Sequence, residues 1–560
     1  MSASITTEDV HKQASKMGVT MKPAEVEDYQ KLLSEANTVF ERLMSMPDYH
    51  LPVDTERFPR QNVKQPTADE NKLGVAWAHT FSVGGAEKNP SGLLAGKTFC
   101  LKDNICVAGV PQVNGSDMIE PWIPKADATV VTRILEAGGE IIGTATCENM
   151  SYSLMSHTSS TGIIHNPYRE GYSAGGSSSG VGALVGSPEN YVDMGVGADQ
   201  GGSIRIPSAM SGCVGLKATH GLIPYTGVVT SEAIMDHVGP ICKNVMDVAV
   251  LLEVLAGRDG VDDRGVGAQR HGEIPYSSNL QTWFDNSLQP TAGLNKVLSG
   301  MKIALIKESY ETPLMFPSMR EKFLSSAYRL RELGAEVTEI SMPAHDTARD
   351  VWMGIRRLGG SLSLTGKASG RRQYCLTPFL ERMLPMTQEK WEKTHANLKS
   401  TIINGSFALE KYPTLYAKCL NMQIQLSREY ESLLSQYTLL LTPSLCRTAP
   451  KLLPRSLPVY EKAQSEGGIS INTSQFDLTG HPALTLPIGL MPDMGGDDET
   501  VKLPVGMQLI GPLHGEEKIL KVAYAYEKNW DWKSEVGQLA NAEQKEIPPG
   551  VQDPMTTAGP

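Results

Sequence analysis

Apolar residues recur at helical spacing near the start of the chain. Between residues 24 and 46 they follow the i, i+3, i+4, i+7 pattern of one amphipathic face. The next segment, residues 47–66, contains four prolines and many charges, which is typical of an extended surface segment. We therefore predict an N-terminal helical region and linker at residues 1–75, and the helical region is a candidate homodimer interface. The apolar positions are Val26, Tyr29, Leu32, Leu33, Ala36, Val39, Phe40, Leu43 and Met44.

Further along, the apolar residues alternate between strand-like and helix-like spacing. Residues 97–147 contain a strand-like run, a helix-like run that ends at glycine, and a second strand-like run. The same order recurs over residues 302–342. This β-α-β pattern predicts an α/β protein whose sheet carries helices on both faces.

We assign one large catalytic domain to residues 76–545. Within it, residues 345–437 are mostly helical and irregular in pattern, and we expect this insertion to form a wall of the substrate pocket. Short buried strands and a closing helix follow the insertion. The last residues, 546–560, have the composition of a flexible tail.

Charge and cysteine content limit the class of protein. The 560 residues carry 51 basic and 62 acidic side chains, a net charge of −11 without long runs of one sign, which disfavours a nucleic-acid partner. The chain shows neither a signal-peptide pattern nor about 18 consecutive apolar residues, so we expect neither secretion nor membrane insertion. The eight cysteines never form a C-x-x-C pair, which favours reduced thiols and a cytoplasmic location.

The most unusual composition lies at residues 173–203, which are rich in glycine and serine. Such runs often form flexible linkers. Here they flank the apolar stretches VGALV and YVDMGVGAD, which have the character of a buried helix and strand and which a linker does not need. The glycines are therefore expected to let the backbone approach a ligand closely.

Two nucleotide-binding patterns nearly match and fail. The segment from Gly92 to Thr98 is one residue too short for a phosphate loop and leads into a strand instead of a helix. Gly195 and Gly197 lack the third glycine of a dinucleotide fingerprint. We predict no nucleotide and no organic cofactor.

The nucleophile-elbow pattern G-x-S-x-G matches twice, around Ser173 and around Ser178. An elbow requires a buried strand before the serine, but the preceding residues, HNPYREGYSAG, have the character of a loop. A Ser-His-Asp hydrolase with His481 as the base is therefore the weaker alternative.

Serine can also be activated by a lysine that is partly neutral. Lys102 follows four residues of an apolar strand, and burial of its amine would lower its pKa from about 10.4 toward neutrality. The alternative is a structural ion pair between Lys102 and Asp103 or Asp199. The sequence alone leaves both interpretations open.

Glycine and serine are concentrated in one long signature, and shorter motifs lie on either side of it. The signature comprises residues 174–180, 197–208 and 212–219, and the flanking motifs are at 101–105, 148–150, 236–240, 479–482 and 503–508. In these motifs the chain resembles the amidase signature family, over roughly residues 76–530 within the usual error of such boundaries. The Asp-Gln-Gly-Gly-Ser form that ends at Ser203 is similar to the enantioselective amidases, while the spacing of 26 positions from Ser177 to Ser203 is slightly long for the family.

The resemblance implies an α/β/α fold around a mixed sheet and a Ser-Ser-Lys triad. In that pattern Lys102 is the base, Ser177 is the bridging serine after a cis peptide bond, and Ser203 is the nucleophile. Neutral Lys102 would hold the proton that Ser177 relays from Ser203 and would return it to the leaving nitrogen. No metal is implied. The resemblance also implies an oxyanion hole made by the backbone N–H groups of Gln200, Gly201, Gly202 and Ser203, with Ser178, Asp199 and Arg205 in supporting positions.

We therefore predict an amidase that hydrolyses a small carboxylic amide to the acid and ammonia or amine through an acyl-enzyme on Ser203. Three alternatives stand beside it. They are a component of a larger amidotransferase assembly, an esterase or α/β-hydrolase-like enzyme, and a catalytically silent homologue that only binds a ligand.

Overall fold

The computed structural model describes residues 4–287, 296–368, 370–495, 498 and 500–538. The predicted tail at residues 546–560 lies outside these residues. The chain divides into two compact units, residues 1–52 and residues 53–560, so the division falls at Pro52, whereas the sequence pattern placed it near residue 75. The difference arises because residues 61–64 form a strand that pairs with the main sheet.

The first unit consists of two helices, α1 (Thr7–Lys16) and α2 (Pro23–Ser45). They contact each other through a small core that includes Val10, Ala14 and Val26. The helix predicted over residues 24–46 thus spans Pro23–Ser45. Much of its apolar stripe is exposed in the chain, including Phe40, which is 56% exposed.

The second unit contains the remaining strands and helices. Its strands are β1 (Gln61–Lys64), β2 (Trp77–Gly84), β3 (Thr98–Lys102), β4 (Glu140–Ala145), β5 (His165–Asn166), β6 (Arg169–Ser173), β7 (Met194–Asp199), β8 (Val214–Lys217), β9 (His237–Cys242), β10 (Lys302–Ile306), β11 (Glu336–Ile340), β12 (Leu439–Pro443), β13 (Ala483–Pro492) and β14 (Lys502–Ile510). Its helices are α3 (Thr129–Glu136), α4 (Ser179–Gly186), α5 (Arg205–Ser211), α6 (Val245–Leu255), α7 (Tyr276–Ser287), α8 (Pro317–Glu332), α9 (Ala344–Leu364), α10 (Thr377–Met383), α11 (Gln388–Lys393), α12 (Ala396–Lys411), α13 (Leu415–Leu434), α14 (Val459–Ser465), α15 (Ser474–Thr479) and α16 (Glu516–Asn529).

Twelve strands form one mixed sheet in the order β1-β2-β4-β3-β7-β9-β8-β13-β14-β12-β10-β11. Strand β3 lies between β4 and β7 and is parallel to both. Strand β10 lies between β11 and β12 and is also parallel to both. The strands between these two parallel groups are antiparallel. The two β-α-β units of the sequence are therefore the two parallel groups of a mixed α/β sheet, as predicted.

Burial explains why the strand runs are almost continuously apolar. All six residues of β7 and all six of β9 are buried, which is typical of strands covered on both faces. Helices α3, α6 and α16 pack with the sheet in one large core cluster, and α4 packs in a separate one. The candidate site residues Lys102, Ser177 and Ser203 are buried as well.

The segment at residues 345–437 is helical, from α9 to α13. Helix α9 packs against α12, α13 and α15, and its buried side includes Trp352 and Ile355. Among the described residues, no helix is both long enough and apolar enough to cross a membrane.

Candidate active site

The sheet order brings together two segments that are distant in sequence. Because β3 and β7 are neighbouring parallel strands, their carboxyl ends meet at the same edge of the sheet. Strand β3 ends at Lys102 and β7 ends at Asp199, which precedes the loop of residues 200–204 and helix α5. The Gly/Ser-rich stretch and the lysine predicted from the sequence therefore share one site.

Lys102 is fully buried at this edge, as its apolar strand predicted. Its Nζ donates a hydrogen bond to Ser177 Oγ at 2.8 Å and another to the carbonyl of Ala198 at 3.4 Å. Burial lowers the pKa of Lys102 from 10.5 to about 8, although Cys147 and Asp199 oppose the change. No carboxylate of the described residues lies within ion-pair distance of Lys102, which argues against the structural ion pair.

Ser177 is held between the lysine and the loop that contains Glu148. The peptide bond from Gly176 to Ser177 is cis, as the family resemblance implies. The carbonyl of Ser177 accepts the backbone N–H of Glu148 at 3.2 Å, and Glu148 in turn accepts the hydroxyl of Ser179 at 3.0 Å. Ser177 is therefore held at its hydroxyl by Lys102 and at its carbonyl by Glu148.

Ser203 lies in the wall of a cavity. Its carbonyl accepts the backbone N–H of Ser178, the residue after Ser177, at 3.3 Å. Ser178 also bonds the backbone of Ala198 through its hydroxyl, so it ties the two loops together. In the described part of the chain no hydrogen bond joins the hydroxyls of Ser177 and Ser203.

Asp199 organises the loop that carries Ser203. Its carboxylate accepts the backbone N–H groups of Gly201, Gly202 and Ile204. The N–H groups of Gly201 and Gly202, which the sequence pattern assigned to an oxyanion hole, thus already have an acceptor. Burial alone would raise the pKa of Asp199, but the Arg205 guanidinium outweighs it and holds this pKa well below its usual range.

Arg205 is itself fully buried and bridges two carboxylates. It bonds Asp199 through Nε and Nη2, both at 3.0 Å, and Asp477 through Nη2 at 2.6 Å. Burial and the neighbouring Asp199 raise the pKa of Asp477 well above its usual value. Asp477 was missed in the sequence, although it lies two residues before the Thr479 motif that carried part of the resemblance.

The cavity beside Ser203, here called the site cavity, has a volume of about 130 Å³. The loop of residues 151–154 forms one wall and α9 forms another. Trp352 of α9 donates its indole N–H to the carbonyl of Gln200 at 2.7 Å, which fixes the start of the loop of residues 200–204. Helix α9 belongs to the segment that the sequence pattern placed at the substrate pocket.

Charged side chains also line the site cavity. The guanidinium of Arg356 stacks on the Tyr152 ring at 3.7 Å, and Arg357 bonds the hydroxyl of Thr401 at 2.9 Å. Glu466 faces the same space, and burial raises its pKa. No sequence motif pointed to these residues, because they come from separate helices and loops that are brought together only in the folded chain.

The elbow alternative does not have its base in place. The two ring nitrogens of His481 lie 2.8 Å from Thr479 Oγ1 and 2.8 Å from Glu431, so both are engaged. Within the described residues, neither Ser173 nor Ser178 is bonded to His481. His481 therefore acts as a buried turn residue between its neighbours.

The described residues include no group of three or more His, Cys, Asp or Glu side chains arranged to hold a metal ion. All eight cysteines are free thiols, and all but Cys375 are buried.

Comparison with known proteins shows which family the chain belongs to. The amidase family model matches residues 74–520. An enantioselective amidase from Rhodococcus rhodochrous is 35% identical over 83% of this chain and 85% of its own length. The A subunit of the glutamyl-tRNA(Gln) amidotransferase of Synechococcus sp. (strain CC9605) is 30% identical over 82% of this chain and 88% of its own. The solved structure of the same component from Thermotoga maritima has a TM-score of 0.60 and 27% identity, covering 78% of this chain and 83% of its own.

The family match spans the strand that ends at Lys102, the Gly/Ser-rich loops and the helices of the cavity wall. Together with the relatives that match over most of their length, it shows that this chain belongs to the amidase family and is a hydrolase that acts on amides.

Proposed function

We propose that the protein hydrolyses a small carboxylic amide to the acid and ammonia or amine through an acyl-enzyme on Ser203. The single observation that carries the proposal is the hydrogen bond of 2.8 Å from the buried Lys102 to Ser177, beside the cavity that Ser203 lines. A lysine whose pKa is lowered to about 8 is partly neutral near pH 7 and can accept a proton.

In the first half-reaction Ser203 Oγ attacks the amide carbon. Its proton passes to Ser177 Oγ, and the proton of Ser177 passes to neutral Lys102. The same path returns a proton to the leaving nitrogen as the carbon–nitrogen bond breaks, which leaves the acyl group on Ser203. Water then attacks the acyl carbon and gives a proton to the path. The ester bond to Ser203 breaks, the carboxylic acid leaves, and Ser203 Oγ takes back a proton from Ser177.

This path requires a hydrogen bond between the hydroxyls of Ser177 and Ser203. We expect this hydrogen bond to form when the substrate binds. Catalytic hydrogen bonds are often long or poorly aligned in free enzymes and shorten when the substrate binds. The contacts with Lys102 and Glu148 hold Ser177, so a rotation of the Ser203 side chain is the smaller movement.

We assign the oxyanion hole to the backbone N–H groups of Gln200 and Ser203. Those of Gly201 and Gly202 bond Asp199, whereas these two have no acceptor in the described part of the chain. The Trp352 bond to Gln200 and the Asp199 bonds to the glycines would hold the loop rigid, which is what preorganised oxyanion stabilisation requires.

The proposal is tested by labelling with a fluorophosphonate and by measuring ammonia release from simple aryl and alkyl amides. We expect the label on Ser203 in the native protein, no label in Ser203→Ala, and loss of amide turnover in that variant. Ser173→Ala is the matched control, because Ser173 lies in the same Gly/Ser-rich stretch, and it should keep both label and turnover. Label on Ser173 or Ser178 would overturn the mechanism.

A second candidate function is favoured by the 30% identity to an amidotransferase component over most of its length. As part of such an assembly, the chain would release ammonia to a partner. We prefer a free-standing cytoplasmic enzyme that forms a homodimer through its N-terminal helices, since α2 exposes an apolar stripe. Gel filtration with ammonia release separates the two, because a purified chain that is active by itself excludes the assembly.

A further inference from the structure

A large cavity lies apart from the site cavity and shares none of its lining residues. This cavity, here called the second cavity, has a volume of about 730 Å³. The loop of residues 230–234, the end of α9, the first half of α13 and the turn of residues 478–480 form much of its wall. None of the residues assigned to the proton path or to the oxyanion hole lines it, so the reaction at Ser203 does not account for it.

The carboxylate of Glu232 lies in the wall of the second cavity and is almost completely buried, with 5% of the residue exposed. Its Oε1 accepts the hydroxyl of Tyr416 at 3.1 Å and the backbone N–H of Ile234 at 3.5 Å. Among the described residues, no donor bonds its Oε2 and no basic side chain lies within ion-pair distance. A buried carboxylate is ordinarily paired with a cation, so Oε2 is open to a partner from outside the chain.

Helix α9 supports this carboxylate from one side. A Cβ at Gly359 would lie 1.5 Å from Glu232 Oε2, so only glycine allows the helix backbone to come this close. The contact excludes water from that side of the carboxylate. The remaining approach to Oε2 is from the second cavity, which both residues line.

The basic side chains around this wall already have acidic partners. Arg264 bonds Asp262 at 2.8 Å and lies 3.8 Å from Asp236. Arg371 pairs with Asp263. Four carboxylates, counting the one in the wall, thus share two guanidinium groups, and this surplus of negative charge favours a cationic ligand.

The protonation of the wall also favours a cation. Burial raises the pKa of Glu232 to about 7, and the neighbouring Asp236 acts in the same direction. Tyr416 and Arg356 oppose this change in pKa. His220, which also lines the cavity, supplies no positive charge near pH 7, because burial lowers its pKa to about 4.

Much of the remaining wall of the second cavity is apolar. An apolar cavity of about 150 Å³ in another protein binds benzene, so the larger second cavity has room for an aromatic ring or an alkyl chain of several carbons. Burial of such a group against apolar side chains is favourable. These side chains are Ile234, Leu362, Leu420, Leu478 and Leu513.

We propose that the second cavity binds a primary amine that carries an alkyl or arylalkyl chain. The ammonium group donates to Glu232 Oε2, and the chain covers the apolar side chains of the wall. A neutral ligand of the same shape would leave Oε2 without a counter-charge, so the ammonium group is the feature that the site selects. The site does not use Ser203, so this proposal goes beyond amide hydrolysis and does not rest on it.

Isothermal titration calorimetry of the full chain with 4-phenylbutylamine and with 4-phenylbutan-1-ol tests the proposal. We expect the wild type to bind the amine more tightly than the alcohol. Glu232→Gln should weaken amine binding by about 10- to 100-fold, the factor for losing one charge-assisted hydrogen bond, and should change alcohol binding by less than about twofold. Between pH 6 and pH 8 the affinity of the wild type for the amine should rise by about tenfold, because the ionised fraction of Glu232 increases while the amine stays protonated.

Glu410→Gln is the matched control, because Glu410 is exposed on α12 and lies outside the lining. This variant loses the same charge and should keep the affinity of the wild type. Leu420→Trp fills the cavity from α13 and should weaken the binding of the amine and the alcohol alike. It decides the question if thermal unfolding shows that Glu232→Gln does not fold.

The amine site would be overturned by equal affinity of the wild type and Glu232→Gln for the amine, by an affinity independent of pH over this range, or by unchanged affinity in Leu420→Trp. Failure of the wild type to bind the amine would also overturn it. Ser203→Ala should bind the amine like the wild type, whether or not the chain hydrolyses amides, so the failure of one proposal leaves the other intact. Loss of amine binding in Ser203→Ala would place the amine in the site cavity and refute the second site.

Discussion

Replacing Lys102 by methionine separates a catalytic role from a structural one. The change keeps most of the side-chain volume and removes the amine. Loss of a general base slows a reaction by about 100- to 10,000-fold, which is about 3 to 5 kcal/mol of barrier. We expect this loss for amides and a smaller one for esters of the same acid, because an ester leaving group needs less protonation than an amine.

Whereas activity should fall in Lys102→Met, the thermal stability of this variant should stay the same or rise. A fall in the pKa of Lys102 from 10.5 to about 8 means that the buried, protonated amine costs the folded state about 3 kcal/mol. This cost is fully present below pH 8, where both states are protonated, and it disappears as the pH rises toward 10.5. Methionine removes the cost and loses two hydrogen bonds worth about 1 kcal/mol each. The melting temperature at pH 7 should therefore be at or above that of the wild type.

The assay measures kcat/KM for an amide and an ester with the same acyl group, together with thermal unfolding. Lys217→Met is the matched control, because Lys217 is also fully buried and burial lowers its pKa to about 7, while its Nζ donates to the Ala218 carbonyl. This control should leave the ratio of amide to ester turnover unchanged. Equal losses on both substrates in Lys102→Met, or a marked drop in its melting temperature, would show that Lys102 is structural.

The site supports three further predictions. For amides, kcat/KM should rise about tenfold per pH unit up to pH about 8 and then level off, since the free enzyme needs neutral Lys102; a flat profile between pH 5 and 9 would contradict this role. Asp199→Asn should lower the free energy of unfolding in urea by about 3 to 5 kcal/mol, because Arg205 loses one buried partner, and a change below 1 kcal/mol would mean that Asp477 suffices alone. Gly201→Ala should reduce kcat by about 100-fold, because its Cβ would lie 2.5 Å from the Trp352 ring and displace the loop of residues 200–204, whereas Gly267→Ala, whose Cβ would have no atom within 4 Å apart from its chain neighbours, should keep full activity.

Local pattern was sufficient to predict much of the fold. The helix of residues 23–45 and the two β-α-β units follow from the spacing of apolar residues, because that spacing reflects which face of an element is buried. The division of the chain differed at residues 53–75, because a short polar strand such as β1 is defined by its partner β2 and has no periodicity of its own.

The sequence by itself supplied the candidate residues: Lys102 from the apolar strand that it ends, and Ser177 and Ser203 from the resemblance to the amidase signature family, whose motifs are local features of the chain. Only the tertiary structure decided which groups meet. Lys102 reaches Ser177 across 75 positions, and Arg205 reaches Asp477 across 272. Contacts of this kind depend on the order of strands in the sheet, which local spacing does not encode. For the same reason, the engagement of the Gly201 and Gly202 N–H groups by Asp199, and the set of residues that line the site cavity, were decided by the folded chain alone.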